Sequence, residues 1–167
     1  LPHSGDVSDE HGSALDLMSN SAAPRDVQPT RLDAPDTIAI DRVELGWLPD
    51  AAIAVAASAA TSATSTVGLR PSTGNVGLRL LVLPVDDTKF VTVEFLPTTG
   101  YDAHLLAAGL AVHLVDQSPE ACGRPVSEPM CVGIDRKQIV LGSPTPHLQL
   151  LHLAGSVLTV RGWTIRL

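Results

Sequence analysis

The sequence predicts a mainly β protein, an antiparallel β-sandwich or barrel-like domain preceded by a loop and one short α-helix. Residues 89–96 alternate with a period of two, which is typical of a strand. About nine short strand-like segments follow one another, separated by Gly, Pro or Asp, as in all-β domains. Hydrophobic residues make up 44% of the chain but aromatic residues only 3%, so Val, Leu, Ile and Ala must form the core.

Residues 1–31 show no periodicity and are rich in Gly, Ser and Asp, which predicts a loop. Four acidic side chains in this loop offer oxygen ligands of the kind that calcium binds, namely Asp6, Asp9, Glu10 and Asp16. Their spacing matches no EF-hand pattern. A solvated acidic loop is therefore favoured over a calcium site.

The best helical pattern covers residues 34–46. Asp33 is a suitable N-cap, and Pro35 is compatible with the first turn. Gly46 can end the helix and Pro49 cannot continue it. The pattern of the chain changes from helical to strand-like near Pro49, and we place the domain boundary there.

The strand-like segments all lie after this boundary. In chain order they are 52–56, 65–69, 76–84, 89–96, 109–115, 138–141, 148–153, 157–160 and 163–167. Asp86 and Asp87 separate the third segment from the fourth, which predicts a hairpin there.

The charge and hydropathy of the chain exclude two classes of partner. The formal net charge is −7, which gives no electrostatic basis for binding nucleic acid. No stretch is long and apolar enough to predict a membrane span.

Cys122 and Cys131 are the two cysteines, and Gly and Pro residues flank them. A small loop of this kind favours a disulfide formed in an oxidising compartment. Two free thiols are the alternative. A metal site is disfavoured because no second Cys or His pair has zinc-ribbon spacing.

A histidine and a methionine near the amino terminus lie in two short motifs. His3 occurs in LPHS at residues 1–4, and Met18 occurs in LDLMS at residues 15–19, after an acidic loop. Together they resemble the second half of a metzincin zinc-protease site, whose signature reads H-E-x-x-H-x-x-G-x-x-H and is followed by a methionine turn. His3 corresponds to the third histidine and Met18 to the methionine of that turn, so the chain is expected to begin inside the motif. The competing interpretation is a surface-loop histidine and a buried core methionine.

Further segments extend this resemblance. They are LGWL at 45–48, VTVEF at 91–95, GYD at 100–102 and GLAVHLVD at 109–116. Their order after the helix is similar to that in secreted proteases of the gametolysin and immune-inhibitor-A-like groups. The resemblance covers residues 1–116 and departs from the family pattern at Phe95-Leu96, where Tyr-Arg is usual.

The resemblance implies that residues 1–49 are the C-terminal remnant of a metalloprotease catalytic domain and residues 50–167 a β-rich accessory domain. His3 would be the third zinc ligand, and Met18 would form a floor beneath the zinc histidines without binding the metal. The whole enzyme would be a secreted zinc metalloendopeptidase that cleaves polypeptides with metal-activated water. No H-E-x-x-H occurs in the 167 residues, so this chain alone is expected to be inactive, with the N-terminal catalytic half missing.

Asp16 and Trp47 are expected to be structural residues, Asp16 by supporting the methionine turn through backbone hydrogen bonds. Residues 1–31 are expected to be the least ordered part of the chain, and core packing of Leu15 and Leu17 would count against this expectation. The alternative to the protease interpretation is a non-catalytic secreted β-sandwich that binds a partner, with residues 1–31 as a leader.

Other groups of residues that could form a functional site have weaker support. Glu94, Asp102 and His113 lie in the strand-rich part and are candidates for a second catalytic or metal site. Solvent-facing positions or a structural pair are the favoured interpretation of these residues. No Gly-x-Ser-x-Gly motif, phosphate loop or dinucleotide fingerprint occurs, so serine hydrolase and nucleotide-binding functions have no support.

Overall fold

The computed structural model describes residue 15 and residues 37–57, 63–118, 136–139 and 150–167. These residues form one short helix and eight strands in two sheets, which confirms the predicted mainly β class. The elements are α1 Ala39–Glu44, β1 Ile53–Val55, β2 Leu80–Pro84, β3 Lys89–Leu96, β4 Gly109–Asp116, β5 Arg136–Ile139, β6 Leu150–Leu151, β7 Val157–Val160 and β8 Trp163–Arg166. Short 3-10 helices span Asp50–Ala52 and Gly100–His104.

The larger sheet has six strands in the order β1-β2-β3-β4-β5, and β6 also pairs with β4. The pairs β2–β3, β3–β4, β4–β5 and β4–β6 are antiparallel, as predicted. The pair β1–β2 is parallel, which the sequence analysis did not predict. The remaining two strands, β7 and β8, form a separate antiparallel hairpin. Within the described residues the arrangement resembles a sandwich and does not close into a barrel.

The two sides of the large sheet are covered by different elements, because successive side chains of a strand point to opposite faces. We call the side that carries Leu83, Val93 and Val112 the hairpin face, since these residues pack against Val160 and Ile165 of the β7–β8 hairpin. Leu80 lies on the opposite side, which we call the helix face. It packs there against residues of α1 and the chain that follows α1, namely Ala39, Leu48 and Ala52.

The predicted β2–β3 hairpin is confirmed, and Asp86 stabilises its turn. One carboxylate oxygen of Asp86 accepts hydrogen bonds from the backbone N–H of Thr88 at 2.9 Å and of Lys89 at 2.8 Å. The bond from Thr88 is the main reason that the pKa of Asp86 lies below its ordinary value. Asp residues favour turns because their carboxylates accept hydrogen bonds from nearby backbone N–H groups.

The helix is shorter than predicted. Its N-cap is Ile38, in an extended conformation, rather than Asp33, so the predicted span 34–46 is wrong at its start. The end is close to the prediction, because Gly46 adopts a positive φ of 70° beyond the C-cap residue Leu45. The N–H of Ala39, the first residue of α1, is bound instead by a residue distant in sequence, which is described below.

One strand prediction is wrong, because residues 65–69 form no strand. The predicted segment 138–141 overlaps β5, which begins two residues earlier at Arg136, and residues 140 and 141 lie outside the described residues. Residues 65–69 are mostly small or polar side chains, which bury little apolar surface against a neighbouring strand. The segment 76–84 contributes only β2 to the sheet, because residues 76–79 belong to a loop.

β6 lies so close to β4 that position 109 has no room for a side chain. A Cβ atom at Gly109 would be 2.8 Å from the carbonyl oxygen of Leu151 and 3.1 Å from the Cβ of His152. We expect Gly109→Ala to lower the free energy of unfolding by about 1–3 kcal/mol, since the backbone of β6 must shift. Urea denaturation measures this change. Gly68→Ala is the matched control, because no atom lies within 4 Å of a Cβ there, and equal losses in the two variants would contradict the expectation.

Candidate functional site

A buried charged cluster lies between α1 and the helix face. Glu94 lies on β3, opposite Leu80 of β2 and Ala111 of β4, and only 2% of its surface is exposed. Strand alternation places Glu94 on the face that α1 covers. A buried glutamate at the middle of a sheet requires partners, because burying a carboxyl group without them is costly.

The first partner of Glu94 is the amino terminus of α1. The backbone N–H of Ala39 donates to both carboxylate oxygens of Glu94, at 3.1 and 3.0 Å. Ala39 is the first residue of the helix, and the N-cap residue Ile38 makes no side-chain cap. Glu94 therefore caps α1 from 55 residues away, which satisfies a helix N–H that has no intrahelical acceptor.

A second contact joins α1 to the loop that precedes β2. The guanidinium of Arg42 donates to the backbone carbonyl of Ser72. The Ser72 N–H in turn donates to the carbonyl of Phe95 at 3.0 Å, which holds the loop beside β3. The Ser72 side chain lowers the pKa of Glu94, although its hydroxyl lacks the geometry of a complete hydrogen bond. Arg42 thus connects α1 to the loop, and Ser72 connects the loop to β3.

Five charged side chains are buried among the described residues, namely Asp41, Arg42, Arg79, Glu94 and Asp102. Arg79 donates to the carbonyl of Gly74 within the same loop. Arg42 and Asp102 are the members of this set whose charges act on Glu94.

Burial raises the pKa of Glu94 from its ordinary value of 4.5 to about 8. The hydrogen bond from Ala39, the Ser72 side chain and the positive charge of Arg42 act in the opposite direction. The negative charge of Asp102 adds to the increase.

His113 is also buried on the helix face, with 0% of its surface exposed. Its directly opposed residue on β3 is Thr92, whereas Glu94 is opposed by Ala111. Glu94 and His113 are therefore not directly paired across the two strands. The prediction that Glu94 and His113 occupy solvent-facing positions is wrong, because α1 and the chain around it cover this face.

The predicted zinc-site residues His3 and Met18 lie outside the described residues. The same holds for Asp16, for the acidic loop residues Asp6, Asp9 and Glu10, and for the cysteines Cys122 and Cys131. Trp47 is described, follows the end of α1 and is 65% exposed, so its indole is not part of the described core. Among the described residues, no group of three or more His, Cys, Asp or Glu side chains is arranged to hold a metal ion.

Leu15 is the one described residue of the predicted active-site segment. It is 1% exposed and packs on the helix face with Leu96, Leu105, Ala111 and Leu150. This packing meets the criterion set for Leu15, and the expectation that residues 1–31 are the least ordered part of the chain stays a prediction. Leu17, the other residue named in that expectation, lies outside the described residues.

Sequence patterns did not predict the burial of Arg42, Ser72 and Arg79. One signal for the burial of Glu94 was available in the sequence. With a period of two, Glu94 lies on the same side of its strand as Thr92 and the apolar Leu96. The loop residues that contact Arg42 carry no comparable signal, because loop paths do not follow from periodicity.

Comparison with known protein families, with curated proteins and with solved structures found no match to this chain. Within the described residues, no helix has the length and apolarity needed to cross a membrane.

Proposed function

We propose that this chain is the C-terminal part of a secreted zinc metalloendopeptidase, in which the β-sheet supports the segment that carries the third zinc ligand and the methionine turn. The observation that supports this proposal best is the burial of Leu15 in the sheet core. Leu15 belongs to the segment LDLMS that resembles a methionine turn and precedes Met18 by three positions. The contact of Leu15 with Leu96, Ala111 and Leu150 places this one residue against the accessory strands.

The docking of α1 supports the same proposal. The helix lies in the part of the chain assigned to the catalytic remnant, and Glu94 of the β-rich part caps it. Leu48 and Ala52, on either side of the proposed boundary at residue 49, pack in one apolar cluster with Leu80. Packing of this kind couples the two parts mechanically, as a supporting role for the accessory domain requires.

The proposed metal site would use His3 as its single ligand from this chain, and two histidines of an upstream helix would complete the set. A bound zinc ion supplies an activated water for attack on the peptide carbonyl. Glu94 and Asp102 are 2% and 1% exposed and cannot contact a polypeptide substrate, so neither is assigned an acid–base role. Secretion and a disulfide between Cys122 and Cys131 belong to the same proposal.

The test uses this chain and a longer version that includes the residues encoded directly upstream. We expect the upstream sequence to contain H-E-x-x-H, and the longer version to bind about one zinc ion and to cleave an unstructured peptide. His3→Ala should abolish both properties, whereas His147→Ala, the control, should leave them unchanged. This chain alone should show neither property.

An upstream region without H-E-x-x-H, together with no zinc bound to either version, would reject the protease. The chain would then be a non-catalytic β-sandwich that binds a partner. Retention of zinc and cleavage by His3→Ala would also contradict the assignment of His3 as a ligand.

A further inference from the structure

We propose that β1 is the contact strand of a symmetric dimer, in which the β1 strands of two copies of this chain pair antiparallel and join the two large sheets into one. This assignment rests on the open edge of β1 and on the exposed apolar side chains beside it. It depends neither on zinc nor on protease activity.

One edge of β1 has no neighbouring strand. Within the described residues, β1 is the terminal strand of the large sheet and pairs with β2 alone. The N–H of Ala56 donates to the carbonyl of Val82 at 2.9 Å, and the register places Ala54 opposite Leu81. Because hydrogen-bonding groups alternate between the two sides of a strand, Ala54 and Ala56 face β2 and the N–H and C=O of Val55 point away from it.

The composition of β1 does not protect this edge. Proteins commonly keep an edge strand from pairing with another chain by means of charged side chains, proline or a bulge. Residues 51–57 read AAIAVAA and contain neither a charge nor a proline. The side chain of Val55 is 66% exposed. The shortness of β1, which has three residues, limits the strength of pairing but leaves the edge accessible.

The backbone groups at this edge are complementary to a second copy of themselves. In an antiparallel pair with Val55 on the two-fold axis, the two Val55 residues exchange their N–H···O=C hydrogen bonds. The carbonyl of Ile53 in each copy then accepts from the N–H of Ala57 in the other. The N–H of Ile53 is already used, because it donates to the carbonyl of Asp50. The pairing is therefore confined to residues 53–57.

Apolar side chains on the helix face extend the contact beyond the backbone. Val43 of α1 and Ile53 of β1 pack against one apolar cluster, so the end of α1 lies beside β1. Val55, two positions after Ile53, points to the same face. Leu45 and Trp47 follow α1 and are 41% and 65% exposed. Two copies of this surface meet around the two-fold axis, where association removes apolar area from water.

The size and charge of the surface determine the expected affinity. Stable protein interfaces bury about 1,200–2,000 Å² in total, and smaller ones are weak or transient. A strand of three residues with few exposed apolar neighbours belongs to the smaller class. The formal net charge of −7 on each copy also opposes association. We therefore expect a monomer–dimer equilibrium with a Kd of about 10–500 μM.

Sedimentation equilibrium of the complete 167-residue chain, from about 10 μM to about 1 mM at physiological salt, measures this equilibrium. Hydrogen exchange over the same range, followed residue by residue, locates the contact. The amides of Val55 and Ala57 exchange from the monomer, so their exchange should slow about two- to sevenfold between the two concentrations for a Kd in the expected interval. Exchange of the β7 amides should not change.

Two variants and one control make the result specific. Val55→Lys places two like charges opposite each other across the two-fold axis and should raise the Kd at least about tenfold. Val55→Thr keeps the β-branched shape and the backbone groups, so dimerisation should remain. Val157→Lys is the matched control, because it makes the same change at an exposed valine of the short strand β7. It should leave the Kd within about twofold.

Three results would overturn the dimer. The first is a chain that stays monomeric up to about 1 mM, which would leave the edge for a strand of a different protein. The second is a dimer that Val157→Lys weakens and Val55→Lys does not, which would place the contact on the hairpin. The third is a dimer in which exchange at Val55 and Ala57 does not depend on concentration. This last measurement uses the unmodified chain and decides the matter even if Val55→Lys does not fold.

Discussion

Glu94→Leu is expected to lower the free energy of unfolding by about 3 kcal/mol near pH 6. The change removes the acceptor of the Ala39 N–H, which is then buried without a partner. It also removes a group that interacts with the buried guanidinium of Arg42. Urea denaturation, analysed as a two-state transition, measures the loss.

Glu94→Gln is the informative comparison, because its side-chain amide has the same shape and retains an acceptor oxygen for Ala39. Near pH 6, where Glu94 is protonated, we expect Gln to cost less than about 1 kcal/mol. Asp87→Leu, which removes a carboxylate from an exposed position of the β2–β3 turn, should stay within about 0.5 kcal/mol. If Leu and Gln at position 94 destabilised the chain equally, the capping contact would not be the source of stability.

Leu15→Ala is expected to lower the free energy of unfolding by about 2–5 kcal/mol. Leu15 is 1% exposed among apolar side chains of β3, β4 and β6, so the truncation leaves a cavity in the helix face. The size of this effect is large for a residue in a segment whose composition predicts a loop. Thermal and urea denaturation at one pH measure it.

Leu106→Ala is the matched control for Leu15→Ala, because the same atoms are removed from a side chain that is 77% exposed. We expect a change within about 0.5 kcal/mol there. Similar small changes in both variants would mean that Leu15 is not part of the core. The proposed support of the methionine-turn segment by the sheet would then lose its main observation.

The central strands are the part of the fold that local sequence patterns predicted best. The alternation over 89–96 coincides with β3, and the segment 109–115 is one residue shorter than β4. The Asp86-Asp87 pair marks the turn between β2 and β3. These predictions succeeded because alternation and turn chemistry are local properties of neighbouring residues.

The predictions that failed depend on contacts between distant residues. The start of α1 is determined by Glu94, which lies 55 positions after Ala39. The parallel β1–β2 pair requires a long connection, whose path has no local signal. The candidate site could be predicted only as far as the presence of Glu94, Asp102 and His113 in the strand-rich part, and its arginines were not predicted.

The sequence by itself determined the β class, the positions of the central strands and the hairpin between β2 and β3, because each depends on periodicity or on turn residues. It also contains the resemblance from which the zinc-protease proposal comes. Only the tertiary structure decided that α1 covers Glu94, that Arg42 reaches the loop at Ser72, and that Leu15 packs in the core. The physical reason is that burial, and with it the raised pKa of Glu94, is set by which distant segments pack together rather than by any residue's own neighbours in the chain.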